Sequence, residues 1–234
     1  MENKTFKIEQ VKRLLDTKEA ENIVECILKV ELSATPIGEG ANAFIYIPED
    51  ESLQSVCLKK IKEKPEMVFN EIDQECEMQK NLKEIGVRTP LTLLSFTTKE
   101  KEDYLVMEKI NGYSIKDIMK DSSLLPEKFD YNTFCKSLDE QIETMHNKGG
   151  IYHRDLHNGN VMIDEEGLPV IIDYGTAVKG SGSDNTYEDF VKIYNSNKKV
   201  YEFTNNRFKD DLESIRDIKD TLKVFINTPI DIKP

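Results

Sequence analysis

The chain is predicted to be an α+β protein, with strands gathered in its first half and helices dominating its second. Three observations carry this reading. β-prone runs at 35–46, 56–59, 91–96 and 104–107 are punctuated by turn residues before position 110. Apolar residues at helical spacing follow, first Phe134, Leu138, Ile142 and Met145, later Leu212, Ile215, Ile218, Leu222 and Phe225. Between these stripes, Val161-Met162-Ile163 and Val170-Ile171-Ile172 read as two short strands joined by the acidic turn Asp164-Glu165-Glu166-Gly167.

The 234 residues suffice for one domain of ordinary size or two small lobes. With 32% charged and 38% hydrophobic residues, the chain reads as globular and soluble. A net charge of −12 and a pI near 4.9 argue against a nucleic-acid binder, which needs a basic face, and are compatible with a basic partner protein. Cys26, Cys57, Cys76 and Cys135 are widely spaced with no C-x-x-C pair, which points to reduced thiols in a cytosol-like compartment. No apolar run approaches a membrane span, and the polar start is no secretory signal.

In chain order, residues 5–30 place Phe6, Ile8, Val11, Leu14 and Leu15, then Ile23, Val24, Ile27 and Leu28, at helical spacing. They predict an N-terminal helical extension over 1–31, read as a packing appendage. Gly38 and Gly40 then allow backbone to approach a phosphate, and also suit an ordinary hairpin. In the strand Val56-Cys57-Leu58-Lys59, Lys59 and its neighbour Lys60 point to opposite faces. Residues 66–84 read as a helix with Val68, Ile72, Glu75, Gln79 and Leu82 on one stripe, Glu77 opposite and Glu71 at the margin. A carboxylate on an apolar stripe needs a cation, and Lys59 is available. Gly86-Val87-Arg88-Thr89-Pro90 breaks the helix, two strands follow, and Glu108-Lys109-Ile110-Asn111-Gly112 ends the second. A helix begins at 114–119 and ends at Leu124-Leu125-Pro126. The next, carrying Phe134 to Met145, is closed by Gly149-Gly150. Beyond the hairpin, 180–185 is a polar, flexible stretch. The last helix opens near Arg207, runs to about Phe225, and has Asp210 and Asp211 placed to cap it.

The chemistry concentrates in 151–176. His153-Arg154-Asp155 leads to Asn160 at the start of one hairpin strand, and Asp173-Tyr174-Gly175 ends the other, so pairing brings Asn160 near Asp173. An amide oxygen and a carboxylate are hard ligands suited to Mg²⁺. Asp155, in the loop, is placed to accept a proton or orient a hydroxyl, and the set points to phosphoryl transfer.

This stretch resembles the catalytic core of the protein kinases: H-R-D-L-x-x-x-N matches at His153, Arg154, Asp155, Leu156 and Asn160, and D-F-G appears as Asp173-Tyr174-Gly175. The glycine-rich loop is matched by Gly38 and Gly40, with Ala43 for the third glycine and Ile45 at the valine position. V-A-I-K is matched at Val56 to Lys59. The resemblance covers roughly 32–226 and implies a two-lobed protein kinase-like fold. Its N-lobe, over 32–110, is an antiparallel sheet with the αC helix; its C-lobe, over 111–234, is mainly helical and truncated, lacking αG to αI. It further implies ATP and Mg²⁺ as cofactors. Lys59, clamped by Glu75, would hold the α- and β-phosphates, Asn160 and Asp173 the metal, and Asp155 the acceptor hydroxyl. Met107 takes the gatekeeper place, and the backbones of Glu108 and Ile110 meet adenine. Ile37, Ile45, Cys57, Met162 and Ile172 line the adenine slot, or pack as plain core. Gln79 stands where kinases place an apolar residue, one turn after the αC glutamate.

The segment 207–215 is similar to R-x-D-D-L-E-S-L of casein kinase I and vaccinia-related kinases, in which the second aspartate, here Asp211, hydrogen-bonds the H-R-D loop backbone. Arg216 replaces the usual glycine. The resemblance thus implies a minimal, monomeric serine/threonine kinase that acts on a protein substrate and phosphorylates itself, Ser181, Ser183, Thr186 and Tyr187 being available. It is cytoplasmic or, if like the short bacterial effector kinases, delivered into a host cytosol. Two other readings stay open. His157, two residues after Asp155, resembles the aminoglycoside and choline kinase relatives and suggests a small-molecule phosphotransferase. The acidic surface suggests a partner-binding, pseudokinase-like module.

Overall fold

The computed structural model describes residues 36–40, 42–48, 55–63, 70–97, 101–179 and 211–227. The expected N-terminal extension, Cys26, Val68, Asp210 and the polar stretch with Ser181, Ser183, Thr186 and Tyr187 lie outside them. The chain divides into two compact units, 1–83 with 90–110, and 84–89 with 111–234.

The first unit is built on an antiparallel five-stranded sheet. Its strands are β1 (Gly38–Glu39), β2 (Ala43–Tyr46), β3 (Val56–Ile61), β4 (Thr92–Thr97) and β5 (Asp103–Glu108), in the order β1-β2-β3-β5-β4. Strand alternation sets its faces: Lys59 stands opposite Ile45 and Leu105, and Cys57 opposite Met107. One helix, α1 (Ile72–Glu84), lies against that face, where Ile72, Cys76 and Leu105 form a buried cluster joined by Ile61 and Met107. The helix starts at Ile72, later than the pattern from residue 66 predicts, because Glu71 caps it. The Glu71 carbonyl accepts the first helical N–H groups, from Gln74 and Glu75, and its own N–H is taken by the Gln74 side chain. Ile72, Glu75, Gln79 and Leu82 are buried along the predicted stripe, and Glu77 is exposed.

The second unit centres on α3 (Tyr131–Asn147), capped by Asp130, which accepts from the Thr133 N–H. Its apolar stripe Phe134, Leu138, Ile142 and Met145 is wholly buried. Two strands, β8 (Val161–Asp164) and β9 (Pro169–Ile171), form the predicted hairpin, with Val161 opposite Ile171, and β6 (Gly112–Ser114) pairs with β8. A short pair, β7 (Ile151–Tyr152) and β10 (Val178–Lys179), flanks the loop between them. Segment 84–89 belongs here through Arg88: its N–H donates to Gln141 Oε1, its carbonyl accepts from Ile171, and its guanidinium pairs with Asp164. The helix expected from Ser114 to the Leu124-Leu125-Pro126 stop is two pieces. Ser114 caps the four-residue α2 (Ile115–Ile118), and Asp121 starts a separate 3-10 turn at Ser122–Leu124. Local side-chain caps restart the chain twice where periodicity predicts one helix.

The last described helix, α4 (Asp211–Asn227), packs on α3, with Tyr131 Oη donating to the Lys219 carbonyl at 3.1 Å. Ile215, Ile218 and Leu222 are buried as predicted, but Leu212 is 51% exposed. The inward positions of the first turn belong to Asp211 and Ser214, and Leu212 lies roughly 100° round the helix from its neighbour Asp211. Among the described residues no helix is long and apolar enough to cross a membrane.

The hairpin turn depends on Gly167, whose φ of 79° is left-handed and whose missing Cβ would sit 2.8 Å from the Phe129 Cα. Gly167→Ala is expected to destabilise the second unit by about 2 kcal/mol or more, read as a lower urea midpoint, since both the conformation and the backbone contact oppose a side chain.

Candidate active site

In the first unit the decisive pair is Lys59 and Glu75. Lys59 Nζ lies 2.6 Å from Glu75 Oε1, and the two residues are only 5% and 2% exposed. Two buried charges this close hold each other in place. Lys60 points to the opposite face, where it pairs with Glu102 at 2.8 Å and lies over the Tyr104 ring. The other positions read as nucleotide-lining in this unit spread over four strands, β1, β2, β3 and β5, and the loops beside them. Gly38 pairs with Ile45 between β1 and β2, Ile37 is exposed, and the Gly40 N–H donates to the Ala43 carbonyl at 3.0 Å. Cys57 is buried, its thiol pushed up to about 12 by burial, and it donates to the Glu108 carbonyl at 3.7 Å. Met107 is partly buried against the α1 cluster, and Glu108 ends β5, its N–H donating to the Leu91 carbonyl. The Glu108 carboxylate accepts the Leu91 N–H in turn at 2.9 Å. Ile110, partly buried, closes this unit.

In the second unit the hairpin holds the acidic residues. The Ile172 N–H donates to the Asn160 carbonyl at 3.0 Å, one step beyond the last β8–β9 pair. Asn160 therefore stands beside Ile172, next in sequence to Asp173. Asn160 Nδ2 donates to the Asp155 carbonyl at 2.8 Å and to Asp155 Oδ2 at 3.2 Å. With both amide hydrogens committed, the oxygen is the atom Asn160 can offer a cation, and this donor chemistry, an amide oxygen beside a carboxylate, fits Mg²⁺. Among the described residues no cluster of three or more His, Cys, Asp or Glu ligands is present. Met162 is partly buried on β8.

The loop is strained at two points. Arg154 and Asp173 both have φ of 66°, a left-handed conformation rare outside glycine. Asp211 holds the first: Oδ1 accepts the Arg154 N–H at 2.9 Å, while Oδ2 accepts the His153 N–H at 2.8 Å and meets His146 Nε2 at 2.9 Å. Burial alone would raise the Asp211 carboxyl; the His146 and His153 rings and the two N–H donors outweigh it and hold it below its ordinary value. His153 Nε2 reaches the Ile172 carbonyl at 2.9 Å, and its ring packs on the fully buried Tyr174 at 4.8 Å. Burial pushes the Tyr174 phenol up, so it stays neutral.

His157 is half exposed. Its Nδ1 accepts the Gly159 N–H at 2.9 Å, which leaves the ring proton on Nε2, 3.8 Å from Asp155 Oδ2. Desolvation lowers its pKa, against the pull of Asp173, and the ring is neutral at pH 7.

Two residues that sequence reading passed over complete the second unit's frame. His146 faces Asp211, and its ring stacks on Tyr152 at 4.5 Å, over which the Arg154 guanidinium lies at 5.3 Å. A histidine in the last turn of a helix suggests only a favourable end charge, and nothing in its spacing points to a carboxylate 65 positions away.

The family model described as protein kinase domain matches residues 33–202. Among curated proteins, the chain is 30% identical over 60% of its length to a probable serine/threonine-protein kinase of Clostridium perfringens, of which it covers 20%. It is 28% identical over 63% of its length to serine/threonine-protein kinase D of Synechocystis, covering 30% of that protein. The chain thus spans a third or less of the length of these relatives. A chain in the structure of the CAK complex from Chaetomium thermophilum bound to ATP-gamma-S matches with a TM-score of 0.51 and 21% identity, over 70% of this chain and 52% of that one, which shows the fold.

Proposed function

The chain belongs to the protein kinase family, and from that premise we propose that it transfers the γ-phosphate of ATP to a serine or threonine hydroxyl of a protein, itself included. The observation that carries this reading is the second unit's hairpin, which sets Asn160 beside the strand end that bears Asp173 and ties it to Asp155. Asp155 accepts or orients the acceptor hydroxyl, and Asn160 keeps its carboxylate turned to the loop. Asp173 and Asn160 hold Mg²⁺, which when bound neutralises charge on the phosphates. In the first unit Lys59, kept in place by Glu75, meets the α- and β-phosphates, the Glu108 and Ile110 backbones meet adenine, and Ile37, Ile45 and Cys57 line its slot. Positioning and charge neutralisation supply most of such a rate.

His157 favours a second reading. Its neutral Nε2–H faces Asp155, where it can steer a small hydroxylated acceptor, as in a small-molecule phosphotransferase. Intact-mass analysis before and after incubation with Mg·ATP, with generic protein acceptors and with a panel of amino-sugars and amino-alcohols, separates the two. Mass gains in whole phosphates on the chain or on a protein acceptor are expected, with peptide mapping of residues 180–187. Transfer confined to the small molecules would overturn the protein-kinase reading.

A further inference from the structure

Three polar contacts in a row join α1 to β4 and to the residues just before it. Ser95 Oγ donates to Asp73 Oδ1 at 2.9 Å, Thr92 Oγ1 to the Cys76 carbonyl at 3.2 Å, and Gln79 Nε2 to the Pro90 carbonyl at 2.9 Å. Asp73, Cys76 and Gln79 recur every three residues, so they share one stripe of the helix. They meet Ser95, Thr92 and Pro90 in descending order, so helix and strand run antiparallel.

Thr92 and Ser95 are three apart, a spacing that on a regular strand points side chains to opposite faces. A register shift between Thr92 and Leu94 removes the conflict: Thr92 stands opposite Met107 and Ser95 opposite Leu105. Leu105 and Met107 belong to the cluster with Ile72 and Cys76, so both hydroxyls are aimed at α1 by a local irregularity of the strand. Gln79 and Thr92 are 1% exposed and Ser95 3%. Buried donors left unmatched are costly, so the helix has one register that satisfies all three.

Glu75 lies within this register. Apolar burial alone would hold it loosely, because two of the five buried positions of α1 are Glu75 and Gln79 themselves. A slip of one turn, roughly 5.4 Å, or a rotation of one residue, roughly 100°, would carry the carboxylate off Lys59. The geometry points to Gln79, Thr92 and Ser95 as positioning residues: a latch that keeps Glu75 on Lys59 before any nucleotide arrives. Gln79, with Glu75 one of the two polar residues on the buried stripe, is the far end of that latch. Its catalytic consequence rests on the kinase reading above; the latch itself is a property of the first unit.

Hydrogen exchange on the full chain without nucleotide tests the latch. In the wild type, the amides of α1 beyond its first turn are expected to be protected as strongly as those of α3. Thr92→Val and Gln79→Leu should each speed α1 exchange about tenfold, as loss of one buried hydrogen bond predicts, with α3 unchanged and Thr92→Ser close to wild type. Ser95→Ala, whose partner Asp73 is only partly buried, gives the same readout if Gln79→Leu does not fold. Fast α1 exchange in the wild type, or equal exchange in all variants, overturns the latch. For the catalytic consequence, Thr92→Val should lower kcat at saturating Mg·ATP when Glu75 is present, and have no further effect in a Glu75→Gln background. Equal losses in both backgrounds would show that the hydroxyl does not act through Glu75. If the wild type transfers no phosphate, the kinase reading falls, and exchange alone still decides the latch.

Discussion

Asp173→Asn is expected to lower phosphate transfer by roughly 10³-fold or more, the scale on which electrostatic groups at a phosphoryl-transfer site act, while leaving the thermal midpoint unchanged. The two halves of this expectation have separate causes. Removing the negative charge takes away the ligand and the field that would hold the metal. Keeping the shape is possible because Asp173 sits at φ 66°, a left-handed conformation that asparagine tolerates about as well as aspartate. Asp173→Ala would lose the same activity and also destabilise the loop, by about 1–2 kcal/mol, since a Cβ without a polar group is disfavoured there. Single-turnover transfer and a thermal melt on both variants make the comparison. Transfer within tenfold of wild type in Asp173→Asn would sink the assignment.

Asp211→Ala should destabilise the second unit by about 3–5 kcal/mol, the range for breaking a buried charged partner set. The carboxylate is fully buried, and its two oxygens serve the His153 and Arg154 N–H groups and the His146 ring. Without it, two buried backbone donors lose their acceptor, and the left-handed Arg154 loses the contact that offsets its strain. The effect should depend on pH with a definite sign. Because the native carboxyl lies below its ordinary value of 3.8, its stabilisation is complete above that value and is lost as the pH falls through the native one. Urea unfolding should therefore show a gap between wild type and Asp211→Ala that is wide at pH 7 and narrows below about pH 4. A gap that stays constant down to pH 3 would mean that the charge is not its source.

Much of the α+β architecture is legible in the chain because it is local. The hairpin at 161–171 follows from two β-branched runs around a turn whose glycine takes a positive φ, and the α3 stripe from four apolar residues at helical spacing. Glu75 on Lys59 is legible for a different reason: a carboxylate within an apolar stripe demands a cation, and only one strand lysine faced the right way. Where reading fails, a local cap or a distant partner has won. Glu71 starts α1 later than periodicity suggests, and Ser114 and Asp121 divide what periodicity joins. Leu212 is apolar and near the stripe, yet it is exposed because the inward positions of that turn are held by Asp211 and Ser214.

The sequence by itself determined the order of strands and helices, the family motifs, and the pairing of a buried acid with a buried lysine, because each follows from neighbours within a few residues or from a charge that must be met. The tertiary structure alone decided three things: that His146 faces Asp211, that an irregularity in β4 turns Thr92 and Ser95 toward the same helix, and that Gln79 reaches the Pro90 carbonyl. Each joins residues whose sequence separation carries no periodic signal, and each exists because a buried polar group, once enclosed, must find its partner wherever the fold has brought one.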